Sequence, residues 1–248
     1  MSKIWIGSST DVRHGDEAND ALANKNDAEF WNDETGIIKV DVQRWKDAQK
    51  FESEGWLKHW RYAASDRNDI HKTGFSGYEA VPVDLGSVLE IGCGPFTQLQ
   101  TIMEGRAISD VTLLDPLLEE YKQLPHCTYK DNKFRGYDTR LICSQAEALH
   151  GIENIDTAIC INVIEHVQDA QMILSKLHRA IKIGGIVIFG ERCYDGLDIN
   201  AVYDVGHPIR VKMKVFQEWE EQFEPLYSVV PDFGDPLDQE HYFIGRKK

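Results

Sequence analysis

The feature that most constrains the fold of this chain is a regular alternation of short apolar runs and amphipathic segments between residues 87 and 190. Five apolar runs predict β-strands, at residues 87–91, 111–114, 140–143, 157–162 and 186–189. Helical spacing of apolar side chains is clearest from Ala170 to Ile181, ahead of Gly184 and Gly185, which are expected to end that helix. Strands that are apolar on both faces and separated by helices predict a mostly parallel sheet between two helical layers.

Two further strand candidates, residues 227–230 and 241–245, follow a helix-like segment near the end of the sequence. The turn-rich stretch 231–236 between them predicts an antiparallel terminal hairpin. Added to the five earlier runs, the hairpin gives a three-layer, Rossmann-like α/β fold with a seven-stranded, mostly parallel sheet.

The sequence divides into three parts around this sheet. Residues 1–35 are polar and acidic without an apolar period, which predicts a loosely held arm. Residues 36–86 carry aromatic side chains among charges and predict an N-terminal helical cap or lid, with two amphipathic helices broken near Gly55. These aromatics either pack on the sheet domain or stack on a substrate. Residues 87–248 form the sheet domain, in which 191–213 is expected to be a substrate-covering loop.

The charge balance excludes some partners. Lys and Arg total 27 against 41 Asp and Glu, a net charge of −14. Such a surface repels a phosphate backbone, so nucleic acid is not an expected partner. No run approaches the roughly 18 apolar residues of a membrane span, and the first residues lack the features of a secretory signal. The sequence therefore predicts a cytoplasmic protein without a membrane partner.

The five cysteines are widely spaced, with no pair separated by two residues. A disulfide framework or a structural zinc site would need tighter and more regular spacing. Cys143 and Cys160 lie in apolar strand-like runs, so we expect both to be reduced, buried thiols.

The first predicted strand contains an acid near its end, Glu90, and runs into a turn with Gly92 and Gly94. Glycine suits such a turn because a ligand can approach the backbone closely and because positive φ angles are accessible to it. A pyrophosphate-binding dinucleotide site is disfavoured, since Thr97 stands where that pattern has its third glycine. Asp115 ends the next strand about 20 residues on, where a carboxylate can accept both hydroxyls of a ribose.

These features resemble the ordered motifs of class I S-adenosylmethionine-dependent methyltransferases. Five segments carry the resemblance, at residues 89–94, 113–116, 144–149, 156–167 and 177–189. The similarity covers about residues 88–190, and the family's antiparallel edge strand fits the closing hairpin. It implies that the chain binds S-adenosylmethionine and releases S-adenosylhomocysteine. The alternative is a Rossmann-like domain that binds another ligand or none.

The resemblance also implies which residues bind the cofactor. The glycine turn would pass under the methionine part, whose amino group Glu90 would orient through the turn, and Asp115 would bind the ribose. Gln145 stands where the family often has Asp, beside Ala146, whose backbone would hold the adenine. The full expected set is Glu90, Gly92, Cys93, Gly94, Asp115, Pro116, Gln145, Ala146, Asn162 and Val163.

Asn162 and Val163 are implied to line the donor sulfonium at the end of the fourth strand, and His166 follows them. Methyl transfer is an in-line displacement with a neutral thioether as leaving group, so catalysis is mostly positioning. An alcohol or a protonated amine would also need a base, and His166 is the candidate because it follows the strand end that faces the methyl group and because imidazole side chains act as bases near neutral pH. The alternative for His166 is a structural hydrogen bond at the start of the next helix.

Residues 162–166 also resemble an ExxEH metal motif of ubiquinone-pathway O-methyltransferases and small-RNA 2′-O-methyltransferases. Asn162 replaces the first acid of that motif, which removes a hard anionic ligand. No metal site is therefore expected. The acidic chain separately disfavours the RNA enzyme.

Segments outside these motifs must supply the acceptor site. Arg192, His207 and Arg210 are candidates because His and Arg side chains can bind carboxylates, phosphates or sugar hydroxyls. Tyr78 is expected in the lid over the acceptor. Ordinary loop contacts are the alternative for each of these residues.

The function that the sequence favours is methyl transfer to a small-molecule or glycan-like acceptor, with oxygen preferred to nitrogen as the methylated atom. Methylation of a protein side chain is one alternative, which an open groove would favour. A partner subunit without catalysis is another, although intact Gly92, Gly94 and Asp115 argue against one that has lost the cofactor. The sequence leaves the oligomeric state open.

Overall fold

The computed structural model describes residues 27–59, 78–196, 205–231 and 239–248. The strands in these ranges are β1 (Gly36–Ile37), β2 (Ser87–Ile91), β3 (Asp110–Leu114), β4 (Lys133–Phe134), β5 (Tyr137–Ile142), β6 (Ile155–Ile161), β7 (Ile181–Cys193), β8 (Arg210–Val211), β9 (Phe223–Val229) and β10 (Gln239–Lys247). The α-helices are α1 (Val42–Glu54), α2 (Leu99–Ile102), α3 (Leu118–Tyr121), α4 (Ala170–Ala180) and α5 (Met213–Glu220).

Eight strands form one central sheet in the order β4-β5-β3-β2-β6-β7-β10-β9, and β1 pairs with β8 apart from it. The five strands from β5 to β7 are parallel, which confirms the mostly parallel, Rossmann-like sheet. The prediction of seven strands was one short, because Lys133 and Phe134 of β4 pair with the start of β5 at the edge. A two-residue strand has no periodicity from which to predict it.

The closing strands pair as predicted. β10 lies between β7 and β9 and is antiparallel to both, which confirms the terminal hairpin. Residues 232–238 of the connection lie outside the described residues. The parallel strands all end at one edge of the sheet, so the segments that follow β2, β3, β5 and β6 meet there.

Hydrophobic clusters cover both faces of the sheet. Alternate side chains of β2 divide between them, with Leu89 and Ile91 in one cluster and Val88 in the other. Helices α4 and α5 pack on the first face, and α2 and α3 pack on the second. The α4 face is formed by Ala170, Ile173, Leu174, Leu177 and Ala180. This arrangement confirms the three-layer architecture.

The connection from α4 to β7 differs from the prediction. The helix ends at Ala180, and the strand begins at Ile181, so Gly184 and Gly185 lie inside the strand and do not end the helix. Gly184 has a φ of +76°. The register between β6 and β7 shifts just there, between Ile155 and Thr157. The glycine pair therefore marks an irregularity in the ladder, a known use of glycine in strands.

The N-terminal cap begins with α1, whose first turn is capped by Asp41, since its carboxylate accepts a hydrogen bond from the Arg44 backbone N–H at 2.8 Å. The α-helix ends at Glu54, next to the predicted break at Gly55. Gly55 keeps right-handed helical angles, and the chain continues directly into a π-helical turn, Gly55–His59. The second predicted cap helix falls largely in residues 60–77, outside the described residues.

Part of the segment predicted as an arm packs against the cap helix and the sheet domain. Asp27 is buried, with its Oδ1 2.9 Å from the Nε of Arg44 on α1 and its Oδ2 3.6 Å from the Nη2 of Arg210 on β8. β1 continues this contact by pairing antiparallel with β8. Residues 1–26 lie outside the described residues. Within the described ranges, no helix combines the length and the apolarity that crossing a membrane requires.

Candidate functional site

Glu90 lies at the carboxyl end of β2 and points to the start of α2. Its buried carboxylate accepts hydrogen bonds from the backbone N–H of Gln98 at 2.7 Å and from the Thr97 hydroxyl. Burial raises the pKa of Glu90 to about 7, although these hydrogen bonds act in the opposite direction. Glu90 therefore holds the residues between the glycine turn and α2 in place, by binding Thr97 and Gln98 just before that helix.

The glycine turn has two positions that need glycine for different reasons. Gly92 has a φ of +65°, and a Cβ there would lie 2.5 Å from Cγ2 of Val163. Gly94 has a φ of +53°, and a Cβ there would have no atom within 4 Å. The Gly94 carbonyl accepts a hydrogen bond from the Tyr129 hydroxyl at 2.5 Å, and Cys93 between the glycines is buried. The turn is thus anchored by the Tyr129 hydroxyl, while the side of Gly94 on which a Cβ would lie is unoccupied.

Asp115 follows β3 and is buried beside that turn. Its Oδ2 accepts from the Gly94 N–H at 3.1 Å, and its Oδ1 accepts from the Leu117 N–H at 2.8 Å. Burial outweighs both bonds and raises the pKa of Asp115 to about 7. Each carboxylate oxygen retains acceptor capacity beyond the bond it makes. Two neighbouring hydroxyl groups could therefore still bind to this side chain.

The residues predicted to hold an adenine lie at the next strand along. Gln145 is half-buried and precedes a short 3-10 turn that starts at the buried Ala146. The segment adjoins β3, since the Sγ of Cys143 lies 3.4 Å from the carbonyl oxygen of the half-buried Pro116. Pro116, Gln145 and Ala146 therefore follow neighbouring strands at the same edge as Asp115.

The turn after β6 brings Asn162 and Val163 to this edge from the other side. Asn162 has a φ of +58° and an exposed side chain. The carboxylate of Glu191, buried on β7, accepts from the backbone N–H of Val163 at 2.9 Å and of Ile164 at 3.0 Å. Glu191 was not predicted as a site residue. Its position next to an apolar strand could have indicated a buried carboxylate with hydrogen-bond partners, because a charged group is rarely buried without them.

His166 ends this turn and meets His207 from the segment before β8. The Nδ1 of His166 lies 3.0 Å from the Gly206 carbonyl oxygen, which can only accept, so Nδ1 carries the hydrogen in the neutral ring. The Nε2 then presents a lone pair. It lies 3.7 Å from Oε1 of Glu165, which is 3.3 Å from Nε2 of His207. The two imidazole rings are 4.8 Å apart between centroids.

Glu165 is the buried anion of this cluster and was also missed as a site residue. Its burial raises the pKa, but His207, His166, Arg192 and the hydroxyl of Tyr194 together lower it below the usual range. The Tyr194 hydroxyl donates to Oε2 at 2.5 Å. A carboxylate ionised in this position stabilises a proton taken up by a neighbouring imidazole.

The same three side chains could hold a divalent cation. One ligand atom each from Glu165, His166 and His207 lies within 4.8 Å of the others. Two imidazoles and one carboxylate suit zinc and related transition metals, which would polarise a bound hydroxyl. Asn162 does not belong to this group. His207 does, although it is distant from Glu165 and His166 in the sequence. A cation there would occupy the His166 lone pair that proton uptake requires.

The residues predicted to bind the acceptor do not all meet. His207 lies at the cluster, and Arg192 lies nearby with its guanidinium carbon 5.3 Å from the Tyr194 ring centroid. Arg210 is instead buried, with Nη2 3.6 Å from Oδ2 of Asp27, which favours a contact with the N-terminal segment over a contact with substrate. Tyr78 lies nearer the cofactor motifs, where burial and then the charge of Glu90 raise the pKa of its hydroxyl.

The predicted covering loop 191–213 is only partly loop. Its first three residues end β7, and Arg210–Val211 forms β8 against the N-terminal segment. Residues 197–204 of it lie outside the described residues.

Comparison with known proteins agrees with this arrangement. A family model described as a methyltransferase domain matches residues 89–189. The mitochondrial ubiquinone biosynthesis O-methyltransferase of Mus musculus is 26% identical over 162 residues, which are 61% of this chain and 43% of that protein. The chain thus spans less than half the length of this curated relative.

Solved structures share the fold at low identity. The N-methyltransferase NodS from Bradyrhizobium japonicum WM9, in complex with S-adenosyl-L-homocysteine, has a TM-score of 0.58 at 14% identity, covering 81% of this chain and 98% of that one. Magnesium protoporphyrin IX methyltransferase from Synechocystis has a TM-score of 0.56 at 12% identity, covering 81% and 97%. The solved structures show the Rossmann-like fold, and the methyltransferase-domain model covers the segment that carries the ordered motifs at the ends of β2, β3, β5 and β6.

Proposed function

We propose that this chain transfers the methyl group of S-adenosylmethionine to an oxygen atom of a small-molecule or glycan-like acceptor and releases S-adenosylhomocysteine. One observation carries the proposal. The Asp115 carboxylate, which is suited to bind a ribose, accepts a hydrogen bond from Gly94 in the glycine turn after β2. The turn after the adjacent strand β6 begins at Asn162 and ends at His166, whose imidazole presents a lone pair.

The cofactor would extend across the ends of four strands. Its methionine part follows the turn of Gly92, Cys93 and Gly94, where the open space above Gly94 leaves room for it. Asp115 would accept from the ribose hydroxyls. Pro116, Gln145 and Ala146 would hold the adenine. Asn162 and Val163 would line the sulfonium, and Glu90 would act on the amino group only through the turn.

The reaction moves one methyl group from sulfur to oxygen. The acceptor oxygen forms the new bond as the bond from sulfur to the methyl carbon breaks, and the thioether leaves with the electron pair. Because that leaving group is neutral, it needs no acid, and the main task of the protein is to align the two reactants.

His166 takes the hydroxyl proton of the acceptor at Nε2. Its Nδ1 is already bonded to Gly206, so the incoming proton has one available nitrogen. The imidazolium that forms lies beside the buried carboxylate of Glu165, whose charge favours it. His207 and Arg192 flank the same space and are proposed to contact the acceptor.

Oxygen is favoured as the methylated atom because a neutral hydroxyl needs a base such as His166. The curated relative to which the chain is similar is also an O-methyltransferase. The net charge of −14 favours a small molecule over nucleic acid. The alternatives of protein side-chain methylation and of a subunit without catalysis remain to be separated from this proposal by experiment. The cytoplasmic location stays a prediction, and the relative named above is mitochondrial.

The test is an acceptor screen with S-adenosylmethionine labelled in its methyl group. Sugars, phenols and small hydroxy acids are compared with amines of matched size and with a protein mixture. We expect label to appear on a hydroxyl oxygen and to decrease in Asp115→Ala when S-adenosylmethionine is kept below saturation. Label only on amines or on proteins would overturn the acceptor class. Cofactor binding without transfer to any of them would favour the subunit without catalysis.

A further inference from the structure

The backbone carbonyl oxygen of His166 accepts two side-chain hydrogen bonds from the N-terminal cap. The indole Nε1 of Trp45 donates at 3.1 Å, and the amide Nε2 of Gln49 donates at 3.0 Å. These residues are four positions apart on α1 and therefore lie on the same face of that helix. Both side chains are half-buried at the contact.

We propose that Trp45 and Gln49 are positioning residues for methyl transfer, which hold the His166 backbone so that its imidazole faces the acceptor. This inference rests on the proposed base role of His166. It assigns to the cap helix a part in catalysis that is distinct from covering the site.

Helix α1 also controls the other contact of the imidazole. The Nη1 of Arg44 donates to the carbonyl oxygen of Val205 at 2.8 Å, and Val205 precedes the Gly206 carbonyl that binds Nδ1 of His166. The guanidinium is itself fixed by buried Asp27, with Nε 2.9 Å from Oδ1. One helix therefore contacts both the main chain of His166 and the segment that sets its ring orientation.

The attachment of α1 to the body does not rest on the hydrogen bonds of Trp45 and Gln49 alone, and the Trp45 ring also packs against the core. The backbone N–H of Val40 donates to the carbonyl of Gln168 at 3.0 Å, and that of Ala170 donates to the carbonyl of Ile38 at 2.9 Å. β1 adds its pairing with β8. Trp45→Phe, which keeps an aromatic ring against the core, and Gln49→Leu should therefore leave the helix docked and chiefly change the hold on the His166 peptide.

The consequence for catalysis follows from geometry. A carbonyl oxygen has two lone pairs, and both are used by these donors. Removal of one donor leaves this carbonyl with a single side-chain partner. Removal of both leaves it with neither, so that, among the described residues, only the long bond from the Val167 N–H to the Ile164 carbonyl, 3.4 Å, holds this peptide plane, and we expect the ring to shift. Small displacements of a reacting group reduce turnover more than binding.

The experiment compares Trp45→Phe, Gln49→Leu and the double variant with Gln43→Leu. Gln43 lies on the exposed side of α1, where its amide bonds Asp47 at 2.9 Å, so it controls for loss of an amide from this helix. We expect each single variant to lower kcat roughly 5-fold, as for one lost hydrogen bond. The double variant should lose more than the product of the two. The affinity for S-adenosylhomocysteine and the KM for the cofactor should stay close to those of the control, while the Tm of the double variant should fall by a few degrees because its shielded carbonyl has lost both donors.

A second measurement does not require an identified acceptor. The ring carbon resonance of His166 is followed by NMR in protein labelled on histidine and saturated with S-adenosylhomocysteine. Its shift in the double variant, with Gln43→Leu unchanged, supports the positioning role. An unchanged resonance together with an unchanged kcat overturns it. A shifted resonance with unchanged kcat supports the hold on the ring and overturns the base role of His166 in the proposed function.

Discussion

The carboxylate of Asp115 accepts a hydrogen bond from the backbone N–H of Gly94 at 3.1 Å. This bond joins the residue after β3 to the glycine turn after β2. The proposed ribose and methionine sites are therefore coupled by one contact that exists within the protein chain itself. A substitution of Asp115 or of Gly94 should therefore weaken the binding of both the ribose and the methionine part of the cofactor.

The two glycines of the turn should respond differently to alanine. Gly92→Ala adds a Cβ 2.5 Å from Cγ2 of Val163 at a positive φ, so we expect a loss of about 2–3 kcal/mol in the free energy of unfolding. Gly94→Ala has open space around its Cβ and should cost only about 1 kcal/mol from its backbone angle. Its new methyl group enters the space proposed for the cofactor, so affinity should fall about tenfold or more.

Urea unfolding and calorimetric titration with S-adenosylhomocysteine measure these two effects. Full cofactor affinity in Gly94→Ala would contradict the proposed path of the methionine part.

Cofactor affinity should depend on pH through Asp115. Burial raises its pKa to about 7, and the ribose hydroxyls need the ionised carboxylate as acceptor. Affinity for S-adenosylhomocysteine should therefore decrease by roughly 5- to 10-fold between pH 8 and pH 6, as the carboxylate takes up a proton. Titrations at several pH values check the sign and the size of the change.

The control is Asp115→Asn, which cannot ionise. Glu90 also has a pKa raised to about 7 and remains in this variant. A flat profile in Asp115→Asn assigns the pH dependence to Asp115. If the variant keeps the slope of the wild type, the dependence belongs to another group, with Glu90 the first to examine.

The same carboxyls affect stability with a definite sign. Their pKa values in the folded protein lie above the ordinary values of 3.8 and 4.5, so the folded state binds more protons between about pH 4 and pH 7. The contribution of these two groups to the free energy of unfolding therefore falls as pH rises through that range. Saturating cofactor should offset part of the loss above pH 7. Thermal unfolding with and without S-adenosylhomocysteine at pH 5 and pH 8 measures this difference.

His166→Ala should lower turnover roughly 100-fold, because a positioned base contributes about that much. Cofactor affinity should stay near that of the wild type, since the proposed role concerns the acceptor. His126→Ala is the matched control, because His126 is exposed and follows a different part of the chain. Equal turnover in both variants would leave His166 with the structural hydrogen bond to Gly206 alone.

Zinc should inhibit the enzyme. A cation bound by Glu165, His166 and His207 occupies the lone pair of His166 that the base role requires. We expect turnover to survive treatment with a chelator and to fall on addition of Zn²⁺. His207→Gln should raise the Zn²⁺ concentration needed for half inhibition. Activity that is lost on chelation and restored by a divalent metal would instead make the cation a cofactor and His166 its ligand.

The sequence predicted the parts of the fold that depend on local pattern. The parallel strands β2, β3, β6 and β7 are largely apolar on both faces, β5 ends in the apolar pair Leu141 and Ile142, and α4 has a clear helical period. These elements were therefore found, with boundaries shifted by a few residues. One wrong prediction, the burial of Cys143, follows from the position at which a strand ends. β5 ends at Ile142, which leaves Cys143 exposed, whereas Cys160 inside β6 is buried as predicted.

The acceptor side of the site was harder to predict because it is built from distant segments. The cluster at His166 needs His207, which reaches it after β7 and an irregular stretch, and no spacing rule in the sequence connects them. Arg210 has the chemistry of an anion ligand, but its partner is Asp27 near the start of the chain. Such pairings depend on tertiary packing, which periodicity and motif order do not contain.

Calorimetric titration of the wild type and Asp115→Ala with S-adenosylmethionine and S-adenosylhomocysteine tests the central claim most directly. We expect micromolar binding of both ligands to the wild type and a loss of about 1–3 kcal/mol in the variant, as for a lost pair of charge-assisted hydrogen bonds. Equal affinity in the two proteins, or no binding to the wild type, would contradict the cofactor site described at the ends of β2, β3, β5 and β6.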